Sequence, residues 1–130
     1  MEPTDRIDDL EARLREARDR FESPADPPDE DRAMRILREG FGPTVWIYVE
    51  GRTGGRMVQF SPEEFSRLER LMNEWLALYA RCYGAEIESE ATLRTAAEAL
   101  VETHNVRDVA QLLTNVPSRT DERNGDHESG

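Results

Sequence analysis

Residues 44–50, Thr44-Val45-Trp46-Ile47-Tyr48-Val49-Glu50, decide how the chain is read. They are β-branched or aromatic almost throughout, the composition of a strand. Gly51-Arg52-Thr53-Gly54-Gly55 follows as a turn, and Arg56-Met57-Val58-Gln59-Phe60 answers as a second strand. The pattern predicts an antiparallel β-hairpin. Val45, Ile47 and Val49 fall on one face of the first strand, Trp46 and Tyr48 on the other. A half-solvated strand would alternate apolar with polar residues, so this one expects cover on both sides.

Working outward, Ser61-Pro62-Glu63-Glu64 spells a helix start, with Ser at the N-cap, Pro at the first helical position and Glu at the third. Phe65, Leu68, Met72, Trp75, Tyr79 and Cys82 recur at helical spacing, and Gly84 supplies the stop. Leu71 and Leu78 on one flank, with Leu76 and Tyr83 on the other, make this helix apolar over more than half its circumference. Upstream, Ile7, Leu10, Leu14, Ala17 and Phe21 form the narrow stripe of an amphipathic helix over residues 1–22. Ser23-Pro24-Ala25-Asp26-Pro27-Pro28 reads as a proline-rich linker. A short helix then opens on Asp29, Glu30 and Asp31 and is expected to end at Gly40 in a left-handed cap. Downstream, Leu93, Ala96, Ala97, Leu100 and Val101 mark one helix. Asn105 caps another, whose inner face is Val106, Val109, Leu112 and Leu113. Residues 118–130 hold no apolar side chain and read as a disordered acidic tail.

The expected fold class is therefore α+β and mostly helical. One antiparallel β-hairpin packs on a long amphipathic helix, flanked by N-terminal helices and a C-terminal helical pair. Residues 29–117 form the core domain. A lone hairpin is marginal, and the long helix covers only one of its faces. The surplus apolar surface, Trp46, Tyr48, Leu71, Leu76, Leu78 and Tyr83, is the candidate interaction site. Arg52 and Arg56 in the glycine-rich turn are a candidate anion contact. That turn lacks the Lys-Ser/Thr of a phosphate loop and feeds a strand instead of a helix.

Charge sets the wider frame. Acidic residues outnumber basic ones 28 to 17, for a net charge of −11, and every basic residue is Arg. The excess lies at both ends, while residues 40–83 balance to zero and hold eight of the nine aromatic residues. A carboxylate-rich, Lys-free surface suits a salt-rich cytoplasm, where screening tempers self-repulsion. The single cysteine, Cys82, allows no intrachain disulfide, which fits a reducing compartment. The chain opens on charged residues, with no leader pattern and no apolar run long enough for a membrane. Cys82, His104 and His127 are isolated from one another, so no metal or other cofactor is expected. No nucleophile sits in an activating pattern, and the chain reads as no enzyme.

Residues 96–120, Ala96-Ala97-Glu98-Ala99-Leu100-Val101-Glu102-Thr103-His104-Asn105-Val106-Arg107-Asp108 through Val116-Pro117-Ser118-Arg119-Thr120, partly resemble a helix-turn-helix of the nucleoid-protein and response-regulator type. The resemblance implies a recognition helix opening at Val116, where the sequence runs instead into Asp121-Glu122. The Lys-free acidic composition, the Val45–Arg56 stretch and Ser61-Pro62-Glu63-Glu64-Phe65 together resemble small conserved haloarchaeal proteins of unknown function. That resemblance implies a halophilic cytoplasmic protein and no particular activity.

The functional expectation is a non-catalytic protein-interaction module, with a homodimer or another protein as partner. The alternative is a small transcriptional regulator that uses the C-terminal helical pair on nucleic acid. Dialysis below about 0.2 M salt, where screening lengthens, is expected to lower the far-UV circular dichroism of the protein. An unchanged spectrum and melting curve would remove the salt dependence.

Overall fold

The computed structural model describes residues 3–22, 24–53 and 60–116. Among them are six α-helices: α1 (Pro3–Arg20), α2 (Glu30–Ile36), α3 (Gly42–Thr53), α4 (Pro62–Arg81), α5 (Leu93–Thr103) and α6 (Val106–Thr114). A π-helical turn, Leu37–Phe41, joins α2 to α3 in one continuous rod. The described residues contain no strand, so the fold is all-helical and the α+β class with its β-hairpin is overturned. Thr44–Glu50, expected as the first strand, lies inside α3. Of the expected second strand only Phe60 is described, and it belongs to no regular element. The acidic segment 118–130 lies outside the described residues.

The reason is burial on nearly every side. Thr44, Val45, Ile47, Tyr48 and Val49 are all buried, and Trp46 and Glu50 face out. An apolar run covered all round has the same composition as strand or helix, and tertiary packing overrides β-propensity. Helix is already nucleated upstream, where the Asp29 carboxylate accepts from the Arg32 N–H (3.2 Å). Neither Gly40 nor Pro43 stops it. Gly40 is no left-handed cap but lies within the π turn. Pro43 has no N–H to give to Glu39 O four residues back. Arg13 of α1 supplies a donor instead, its Nη1 reaching Glu39 O at 3.1 Å. The Thr44 hydroxyl donates to Gly40 O (2.7 Å), so the buried hydroxyl is satisfied within the rod.

Helix α4 is the hub, packing on each of the other helices and on the π turn. Its start is the capping box read from sequence. Ser61 Oγ accepts from the Glu64 N–H (3.0 Å), and Glu64 Oε1 accepts from the Ser61 N–H (2.9 Å). Gly84, at φ 80°, turns the chain after it. Asn73, midway along α4, holds the following segment. Its Nδ2 donates to Ala91 O (2.9 Å) and its Oδ1 accepts from the Ala91 N–H (2.9 Å). On the other flank, Arg67 ties α1 to α4 through Asp8 (2.5 Å) and Glu11 (2.7 Å). The Thr4 hydroxyl donates to the Glu64 carboxylate beside them.

The closest approach in the core is Gly40 against Trp75. A Cβ on Gly40 would sit 2.3 Å from the indole ring, and neither the rod nor α4 can retreat without opening the core around it. Gly40→Ala gains up to about 1 kcal/mol of helix propensity but forces an overlap that costs about 1–3 kcal/mol or more. Thermal denaturation is expected to show a net loss, with the melting temperature several degrees lower. A variant as stable as wild type would contradict this packing.

Candidate functional site

The chemistry of the single groups comes first. Among the described residues, no three His, Cys, Asp or Glu side chains converge as a metal site. Cys82 is fully buried at the end of α4, and burial pushes its thiol up to about 11. It is therefore protonated at neutral pH, donating through Sγ to Leu78 O (3.7 Å). His104 ends α5 in the left-handed region (φ 53°) and is exposed. No helix among the described residues is long and apolar enough to cross a membrane.

The six candidate interaction residues separate. Leu71, Leu76 and Leu78 are buried against the chain's own helices, with 3 % exposure or less, so they offer no outward face. Tyr48 is buried as well, its ring beside Phe60 (centroids 6.3 Å) and Phe65 (6.1 Å). Tyr83 is half-buried against Tyr79 (5.3 Å). Trp46 alone of the six stands open, 44 % exposed. Of the candidate anion contact, Arg52 lies in the last turn of α3 and Arg56 lies outside the described residues. The faces of the long helix expected to stand bare are covered because α4 packs on every other helix and on the π turn, and α3, read as half a hairpin, is itself a helix packed among α1, α4 and α5.

Trp46 sits on a seam between α3 and α5. Toward the start of α3, Gly42, Pro43 and Trp46 line a groove of about 510 Å³ with Leu100 and His104 from the end of α5. Farther along α3, Tyr48 and Val49 line a groove of about 490 Å³ with Ala97 and Val101 of α5. The two grooves thus border the same α3–α5 contact. Val101, expected on the inner face of its helix, is 49 % exposed, and Leu112 on α6 is 59 % exposed.

The two grooves differ in charge. Arg6, Arg38 and His104 border the first groove, and Arg94, Glu98 and Glu102 the second. Arg6 is neutralised by Glu50 (2.8 Å) and Arg94 by Glu98 (3.3 Å). Arg38 and Glu102 pair with no described residue. The seam therefore carries one open cation, Arg38, in the groove that Trp46 lines, and one open anion, Glu102, in the other.

A family model for a domain of unknown function, DUF8055, matches residues 1–118. The chain belongs to that family. The match takes in all six helices. No curated protein and no solved structure matches the chain. Within the family domain, α5 and α6 form a helical pair around left-handed His104, and Asn115 ends α6 at φ 58°. Residues 117–120, where a recognition helix would open, lie outside the described residues.

Sequence reasoning singled out Trp46 and missed Arg38, Val101 and Glu102. Of these, Arg38 had a signal in its spacing: Arg38, Gly42, Trp46 and Glu50 recur every fourth residue, one outer helical row. For Cys82 the expected outcome is very slow reaction with a disulfide reagent at pH 7.5, quickening only in denaturant. Fast labelling of the folded protein would contradict the buried, protonated thiol.

Proposed function

We propose that this chain is a non-catalytic interaction module of a salt-rich cytoplasm that pairs with a second copy of itself along the α3–α5 seam. The carrying observation is the exposure of Trp46 on a seam whose two grooves have opposite open charges. A two-fold axis beside Trp46 lays one copy on the other end-for-end. The two Trp46 rings then meet near the axis, and each Arg38 faces the other copy's Glu102. An isologous contact needs such a self-complementary patch, and tryptophan is among the residues that most often anchor interfaces. The apolar grooves beside it supply desolvated surface, and the charges fix the direction of pairing. The net charge of −11 opposes association unless salt screens it, in keeping with the Lys-free composition.

Duplex reading by the α5–α6 pair is the weaker alternative. Arg107, its described basic residue beyond Arg94, is engaged by Glu30 of α2 (3.5 Å), and acids dominate its neighbourhood.

Sedimentation in about 1 M KCl, where the screening range is about 3 Å and only contact pairs survive, tests the pairing. Wild type is expected to dimerise at tens of micromolar and Trp46→Ala to be monomeric. Arg38→Glu and Glu102→Arg should each weaken the dimer, and the double exchange should restore it. A monomeric wild type, or a double exchange no better than the singles, overturns the reading.

A further inference from the structure

On the opposite side of the rod lies a cleft of about 300 Å³ between α1 and α2, with Trp75 of α4 as its floor. Arg13 and Arg20 reach it from α1, and Arg32 and Arg35 from α2. Two carboxylates, Glu16 and Glu39, share the lining. Four guanidinium groups against two acids reverse the balance of a chain in which acids outnumber bases 28 to 17. Self-pairing consumes only part of this positive charge. Arg20 meets Glu16 (3.2 Å), Arg13 meets Asp9 outside the cleft (3.3 Å), and Arg32 meets Asp29 at 3.7 Å. Arg35 has no ion pair with any described residue.

The rest of the wall is apolar. Phe21, Ile36 and the Trp75 indole form it, the Phe21 ring carrying the Arg32 guanidinium 5.4 Å from its centroid. The indole is 2 % exposed, and its Nε1 donor has no acceptor among the described residues. Donors thus outnumber acceptors on every side of the cavity. Guanidinium forks match the oxygens of carboxylates and phosphates, and a concave apolar wall with a few fixed polar groups is the form of a small-molecule site.

We propose that the α1–α2 cleft binds a small organic anion, its aromatic or aliphatic body against Phe21 and Trp75 and its phosphate or carboxylate at Arg20 and Arg35. This site is independent of the α3–α5 seam. The charged head sits at the mouth, where Arg20 and Arg35 are exposed, and the body displaces water from the apolar wall.

The two tryptophans make the site readable. In a ¹H–¹⁵N spectrum of the full chain they give two indole cross-peaks, assigned with Trp46→Phe. Titration with 1-naphthyl phosphate or 1-naphthoate is expected to move the Trp75 peak saturably and leave the Trp46 peak in place. The arm that binds tighter identifies the head group. Neutral 1-naphthol should bind more weakly than either. Arg20→Ala with Arg35→Ala, both surface changes, should weaken binding about tenfold or more, while Arg38→Ala on the seam should not. An unmoved Trp75 peak, movement of Trp46 alone, equal binding of naphthol, or affinity untouched by the arginine changes each overturns the proposal.

Discussion

The face of Trp75 laid on the backbone of Gly40 is the constraint from which most of this structure follows. With no side chain at residue 40, α4 and the α2–α3 rod approach until ring meets main chain. That approach places Leu37, Phe41 and Val45 in the interior beside Leu68, Met72 and Leu76. It also sets the depth of the α1–α2 cleft, because the same indole is the cleft's floor. A larger residue at 40 would therefore disturb packing and cavity together.

Much of the helical framework was legible in the sequence. The capping box at Ser61, the Asn105 cap and the stop at Gly84 are local chemistry, and each appears where its residues require. The stripe Ile7, Leu10 and Leu14 is buried, as its spacing demands. The segment 44–50 was not legible from composition, since Val, Ile, Tyr and Trp suit a strand and a fully covered helix equally well. Gly40 compounded the error by posing as a helix cap. The outward-facing site was legible only at Trp46. Leu71, Leu76 and Leu78 looked surplus because spacing alone does not show that every other helix packs on α4. Glu102 carries no signal beyond its charge until α3 and α5 are brought side by side.

A longer period, read through the supposed cap at Gly40, holds the correction. Ala33, Leu37, Phe41, Val45 and Val49 recur at every fourth residue, as do Ile36, Gly40, Thr44 and Tyr48, and all nine are buried. In an ideal α-helix a step of four residues overshoots a full turn by about 40°, so four such steps would swing the row about 160° around the rod and out of the core. The π turn, bonding to the fifth residue instead of the fourth, is wider and takes back part of that drift. The sequence period and the π turn are thus two descriptions of one requirement: a rod of this length must keep a single face inward. Pro43 makes the wider turn tolerable, because the bond it cannot form is one that tighter winding would have needed, and Arg13 serves the carbonyl left over.

That same bookkeeping of faces explains why both candidate sites border the one rod. The row Arg38, Gly42, Trp46 and Glu50 is kept outward as strictly as the buried rows are kept inward, and it becomes the rim of the seam with α5. Arg35 and Glu39 lie on the remaining side, beside the arginines of α1. In a rod wound as α-helix throughout, residues 38 and 46 would stand about 80° apart around the axis, and the wider π turn between them brings them closer to one row. The π turn therefore does more than accommodate proline. It is what allows one short stretch of chain to present an aromatic seam to one side and a cationic cleft to the other, with Gly40 clamped to Trp75 beneath both.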